Sequence, residues 1–228
     1  MPEVNRADGM LARFLNAALH AMNRRKTVAL AAPLGVLFLT GAALFGFSIR
    51  TVSAVSRGSR DAVRAGGGSV LSAVFMPGVQ VWERDIARWS EGYGLDPNLV
   101  ATVMQIESCG NPAAVSRAGA QGLFQVMPFH FAAGEDMQDP EVNARRGLAY
   151  LAESLLLAEG DIALALAGYN GGHGVIAWAE SEWPSETQGY AYWGTGIYAD
   201  AAAGLASSLR LEEWMDAGGR SLCGFSPG

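Results

Sequence analysis

Lysine is almost missing from this chain of 228 residues: Lys26 stands alone against 15 arginines. Charge of either sign is sparse, at 17% of residues, and it is unevenly placed. Residues 1–75 hold 9 Lys+Arg against 3 Asp+Glu, whereas residues 76–228 hold 7 against 19. The C-terminal part therefore lacks the basic face that phosphate contacts require, and nucleic acid is not an expected partner. Histidine is scarce as well. His20, His130 and His173 are scattered without ligand spacing, so neither a metal site nor any other cofactor is expected. No Gly-x-Ser-x-Gly elbow supports a Ser–His–Asp mechanism. The triplet Gly66-Gly67-Gly68 follows no strand and precedes no Gly-Lys-Ser/Thr, which excludes a phosphate loop and leaves a flexible spacer. Strand-like alternation is absent too, so the chain reads as all or mostly α.

What is present begins with a long apolar run. The 23 residues between Lys26 and Arg50 carry no charge and no polar face, and as a helix they would span about 35 Å, enough for a hydrocarbon core of about 30 Å. The run is longer than the usual apolar region of a cleaved signal, about 7–15 residues, and lacks a persuasive small-x-small cleavage site. It reads as a retained transmembrane anchor over residues 27–49. Arg24, Arg25 and Lys26 abut it on one side, which puts residues 1–26 in the cytoplasm and the rest outside. Leu11, Phe14, Leu15, Ala18, Leu19 and Met22 give that N-terminal segment a weak amphipathic pattern suited to the inner membrane surface. Residues 50–76, rich in Ser, Gly, Ala and Arg, read as a linker, and residues 77–228 as the main folded domain with a C-terminal tail. The expected location is the cell membrane, single-pass, with the domain extracytoplasmic. Beyond a membrane span an even number of thiols commonly forms disulfides. Cys109 and Cys223 are therefore expected to pair, tying the tail to the loop after Glu107.

From Gly78 onward the periodicity is helical. Val79, Trp82, Ile86 and Trp89 mark one amphipathic helix ending near Gly92 and Gly94. Asp96-Pro97, Asp139-Pro140 and Asp161 are three helix starts, since an aspartate accepts a free N–H at the first turn and proline loses nothing there. The second opens the longest helix, with Gly160 as its stop. Asn111-Pro112 enforces an extended turn, Leu123 to Met127 can form about one helical turn, and further helices are expected at about 174–180, 185–203 and 210–217.

The helix after Asp96-Pro97 places Val100, Val103, Met104 and Glu107 on one stripe. A glutamate that continues an apolar stripe is desolvated, and the negative helix end opposes its ionisation further. Such a group can hold a proton near neutral pH and serve as a general acid. Nearby loops rich in amides and rings suit sugars, whose hydroxyls want amide partners and whose ring faces want flat apolar ones. The candidates are Ser116, Gln125, Met127, Tyr169, Asn170 and Tyr190. Taken singly, Met127 also suits a core filler, Tyr169 a core aromatic and Asn170 a turn.

Taken together, Glu107-Ser108, Asn111-Pro112, Ser116, Gly119-Ala120, Gly122-Leu123-Phe124-Gln125-Val126-Met127-Pro128, Ala167-Gly168-Tyr169-Asn170-Gly171-Gly172 and Glu186-Thr187-Gln188-Gly189-Tyr190 resemble the successive motifs of the soluble lytic transglycosylase family. The resemblance spans roughly residues 79–200. Phe124 replaces the family's usual Met and Gly168 its frequent Ala, and Cys109 beside the Glu-Ser pair is unusual. The resemblance implies a lysozyme-like, goose-type helical domain that acts on peptidoglycan glycan strands. Glu107 would be the single acid/base, with Ser108 supporting it and Ser116, Gln125, Met127, Tyr169, Asn170 and Tyr190 lining the cleft. The implied reaction protonates the glycosidic oxygen between N-acetylmuramic acid and N-acetylglucosamine and closes the muramoyl C6 hydroxyl onto C1, giving a 1,6-anhydro end. A hydrolase would need a second carboxylate to act as nucleophile or to activate water. Glu135, Asp136 and Asp139 are the candidates, though none lies in a motif. A glycan-binding scaffold protein without catalysis is the reading from another class.

Overall fold

Short polar caps start half of the described helices. In the computed structural model, which describes residues 69–224, Asp96 accepts the Asn98 N–H at 2.8 Å, Asp139 that of Val142 at 2.9 Å and Asp161 that of Leu164 at 3.0 Å. The helices are α1 Pro77–Gln80, α2 Glu83–Tyr93, α3 Pro97–Glu107, α4 Pro140–Leu157, α5 Ile162–Gly171, α6 Ser185–Ala202, α7 Leu209–Trp214 and α8 Arg220–Leu222. The described part is thus mostly α. The anchor at 27–49, the segment 1–26 and most of the linker lie outside the described residues, among which no helix is long and apolar enough to cross a membrane.

Helix α3 is the centre. Leu99 through Gln105 are all buried, and α3 packs against α1, α2 and α6. Helix α4 joins α2 to α5, and α5 packs broadly on α6. One apolar core runs through these helices, with Ile86, Met104, Phe124, Leu148, Leu151, Leu166 and Ile197 fully buried.

The structure departs from the sequence reading in several places. The linker does not run to residue 76: Leu71, Val74 and Phe75 are core residues, Ser72 N–H donates to Asn98 Oδ1 at 2.9 Å, and Met76 N–H donates to Gln105 Oε1 at 3.0 Å. Burial of these apolar side chains offsets the entropy of ordering the segment. The first helix is broken into α1 and α2 at Val81-Trp82, because α1 is seated on the backbone of Cys109 while α2 follows Ile86 and Trp89 into the core. Leu123 to Met127 do not form a helix: Gly122 to Gln125 make a turn closed by the isolated bridge Gln121–Val126, beside a second bridge Val115–Gln121. The expected helix at 174–180 is two 3-10 turns, His173–Ala177 and Glu180–Glu182. The last helix stops at Trp214 and continues as a π turn over Met215–Gly219.

Candidate active site

A helix buried on all sides has no wet face on which to leave its last side chain. Glu107, at the end of α3, consequently sits where the core meets the surface, partly buried. Its carboxyl is pushed up from the ordinary 4.5 to about 8, chiefly because burial penalises the charge; the Tyr190 hydroxyl pulls the other way, and the negative charge of Glu186 adds to the rise. The group therefore carries its proton at neutral pH, as the apolar stripe of α3 implied.

The helix ends abruptly. Ser108 has φ −140°, and Cys109 and Gly110 follow in left-handed backbone at φ +52° and +83°. Left-handed backbone at a residue with a side chain is unfavourable and persists only when its surroundings enforce it. Cys109 is bonded to Cys223, 114 residues away, as the thiol count suggested. The buried Gln105 amide lies 3.1 Å from the Cys109 Sγ and 3.4 Å from that of Cys223. Trp82 donates its indole N–H to the Gly110 carbonyl at 2.9 Å. A Cβ on Gly110 would stand 1.9 Å from the Gly78 carbonyl oxygen, so α1 presses directly on this turn.

Ser108 is fully buried. Its hydroxyl donates to the Leu123 carbonyl at 2.7 Å and accepts the Gly110 N–H at 3.1 Å, so it ties the end of α3 to the loop carrying Gln125. That loop is braced from α4 by Asn143, also fully buried. Its Oδ1 accepts the Phe124 N–H at 2.9 Å, and its Nδ2 donates to the carbonyls of Gln121 and Met137, each at 2.8 Å. Gly122 leaves the space for it at φ +74°, where a Cβ would lie 2.4 Å from Asn143 Nδ2. Gln125, partly buried at φ +46°, donates to the carbonyls of Ala114 and Gly122 at 3.1 and 2.9 Å; its Oε1 keeps no partner among the described residues. Ser116 accepts the Ala120 N–H at 3.0 Å and so closes its own turn. Met127, partly buried, precedes the 3-10 turn Pro128–His130.

The second half of the site comes from α5 and α6. Tyr169 donates to the Phe124 carbonyl at 2.8 Å, and its ring stacks with that of Tyr190 at 6.5 Å. Both hydroxyls are pushed well above their usual range, first by burial and then by the charge of Glu107, and both remain neutral donors. Tyr190 differs in one respect: its hydroxyl is buried without a hydrogen-bond partner among the described residues, although it acts on the Glu107 carboxyl. Asn170 accepts from Thr187 at 2.8 Å, locking α5 to α6. Thus Glu107, Tyr169 and Tyr190 meet. Ser108 and Gln125 lie in the turn and loop beside them, Asn170 joins the two helices, and Ser116 and Met127 lie in the loops on either side of Gln125.

The other carboxylates are mostly committed to structure. Glu135 accepts the Ala132 N–H and pairs with Arg146 and Arg145, contacts that hold it down at about 2. Asp136 accepts the Gln138 N–H, and Asp139 caps α4. Glu186, exposed on α6 four residues before Tyr190, is the carboxylate whose charge reaches Glu107. Sequence reasoning missed it and Asn143. The i, i+4 spacing of Glu186 and Tyr190 on one helix and a lone Asn in the apolar stripe of α4 were the available signals.

A mostly helical domain with one protonated carboxyl beside a buried tyrosine hydroxyl and an amide-rich loop has the chemistry to donate a proton to a bound ligand. The particular likeness follows from comparison: residues 85–190 match the Transglycosylase SLT domain. Similar proteins include a transglycosylase of Enterobacteria phage PRD1, 38% identical over 50% of this chain and 42% of that protein. The membrane-bound lytic murein transglycosylase C of Edwardsiella ictaluri is 43% identical over 29% of this chain and 22% of its own length. A solved structure of an inactive mutant of the lytic transglycosylase Slt from Pseudomonas aeruginosa matches 55% of this chain and 24% of that one, with 24% identity and a TM-score of 0.43. The chain thus covers less than half the length of each of these proteins.

Proposed function

We propose that the chain is a membrane-anchored lytic transglycosylase that cleaves the β-1,4 bond between N-acetylmuramic acid and N-acetylglucosamine in peptidoglycan. The observation that carries this reading is the Glu107 carboxyl, raised to about 8 at the rigid end of α3. The names of the relatives, membrane-bound lytic murein transglycosylases among them, support the substrate and the membrane attachment. In this reading protonated Glu107 donates to the glycosidic oxygen as the bond to C1 breaks. The carboxylate so formed then takes the proton of the muramoyl C6 hydroxyl as that oxygen closes onto C1. No water is consumed, and the product is a 1,6-anhydro end. Tyr190 steadies the ionised form, because its neutral hydroxyl lowers the cost of the charge. The glycan lies in the lysozyme-like cleft bounded by the Gln125 loop and the ends of α5 and α6.

Glu186 supports a second reading, hydrolysis, since a carboxylate that reaches Glu107 electrostatically is the kind of group that can activate water. One experiment separates them. The full chain is incubated with purified peptidoglycan and the released muropeptides are weighed. Anhydro ends support the transglycosylase, reducing ends the hydrolase, and sedimentation with the sacculi without release supports a binding scaffold. Glu107→Gln is expected to abolish release while leaving binding intact, and full activity in that variant sinks the mechanism.

A further inference from the structure

The tyrosine pair does not end at Tyr169. Its ring meets Tyr150 of α4 edge-on at 5.8 Å, Tyr150 meets His130 at 5.0 Å, and His130 meets Phe129 at 4.5 Å. The row leads from the acid out to the surface, where Phe129 is 75% exposed. Such exposure is unusual for a phenylalanine held in place on both sides. Pro128 starts the turn, and Phe131 packs against the core, so the residues between them are directed outward on a fixed base. Tyr150 is fixed as well. His173 lies parallel to it at 4.1 Å, and the His173 Nε2 is 3.0 Å from Ser154 Oγ. That hydroxyl donates to the Tyr150 carbonyl at 2.9 Å, so Nε2 carries the hydrogen and Ser154 is no nucleophile.

Resting on the peptidoglycan reading above, we propose that Phe129, His130 and Tyr150 form an outer platform on which a pyranose ring of the glycan strand stacks, several residues' reach from the bond being cut. Aromatic faces bind the C–H face of a sugar through dispersion and apolar burial, and preorganised rings do so at little entropic cost. A sugar suits the row better than a lipid tail, because the imidazole and phenol in it offer polar edges to ring hydroxyls. Burial, and secondly the nearby His173, hold His130 below its ordinary range, so its ring is neutral at neutral pH. The ring contacts connect the platform to Tyr169 and Tyr190, which argues for one continuous strand across both.

The test uses the full chain in the Glu107→Gln background, so that binding is read without turnover. The probes are long peptide-free glycan strands, prepared by amidase digestion, and intact peptidoglycan. Phe129→Ala is expected to weaken binding of the peptide-free strands roughly tenfold, while Phe129→Trp retains it. Unchanged affinity in Phe129→Ala overturns the platform. Loss confined to intact, peptide-bearing material overturns the sugar assignment in favour of the stem peptide. If the Glu107→Gln parent binds neither probe, the peptidoglycan reading itself fails, and the platform falls with it. An unchanged unfolding midpoint in Phe129→Ala is expected from its exposure and rules out misfolding as the cause of lost binding.

Discussion

Glu107→Gln should make the protein more stable as it makes it inactive, and the gain should depend on pH. The folded-state value lies at about 8 against an ordinary 4.5. A raised folded value means that the native state holds a proton the unfolded chain releases, so the stability linked to this group is complete below 4.5 and is lost as pH rises through 8. Each unit of difference corresponds to about 1.4 kcal/mol. Integrated over the interval, the wild-type chain forfeits roughly 3 kcal/mol by pH 7 and approaches 5 kcal/mol above pH 9. Glutamine has nearly the shape of the protonated acid and no charge to lose, so it escapes this cost. Urea unfolding of both proteins from pH 4 to pH 9 should give curves that coincide at the acid end and separate steadily above pH 5. Other titrating groups, including the depressed Glu135, cancel in the difference. A stability difference that is flat across this range would refute the buried-acid argument, whatever the activity of the variant.

Three further outcomes are expected. Reducing the Cys109–Cys223 bond, or replacing both residues by serine, opens a loop of 114 residues and should cost about 5 kcal/mol; muropeptide release should fall at lower reductant than the near-UV circular dichroism signal, and reductant-insensitive activity in oxidised protein would contradict the clamp on the catalytic turn. Asn143→Ala orphans the Phe124 N–H and the Met137 carbonyl and removes one of the two donors to the Gln121 carbonyl, which should cost about 3–4 kcal/mol in chemical denaturation and lower kcat more than folding alone explains, measured well below the melting transition. Glu186→Gln removes a charge that opposes ionisation of Glu107, so the basic limb of the kcat/KM profile should move to lower pH; complete loss of release at every pH would instead make Glu186 a second catalytic carboxylate.

Much of the domain was legible because the signals were local. Asp-Pro and Asp caps marked α3, α4 and α5 correctly, since capping is decided within three residues. The stripe of Val100, Val103 and Met104 placed Glu107 against the core for the same reason. What escaped depended on distant partners. Nothing in the sequence around Leu71 distinguishes a linker from a segment whose apolar side chains find a groove beside α3. The break at Trp82 arises from a contact with Gly110, and the turn at Leu123 from Asn143 on another helix. The second carboxylate was hidden in plain view, because Glu186 stands in a motif but its effect on Glu107 depends on how α6 meets α3.

The acid's protonation is therefore a tertiary property more than a local one. Burial is the main cause of the raised value, and burial at the end of α3 lasts only as long as the turn after Glu107 stays closed. That turn is left-handed at Cys109 and Gly110 and has no local reason to hold. Its restraints come from both ends of the domain: Gly78 and Trp82 from one side, Cys223 from the other, with Gln105 between the Met76 N–H and the sulfurs. All four outer contacts lie beyond residues 85–190, the part that matches the Transglycosylase SLT domain. The shared segment carries Glu107, Tyr169 and Tyr190, while the flanks hold the turn that follows Glu107. Sequence change in those flanks can accordingly tune the acidity of Glu107 without touching a residue of the cleft.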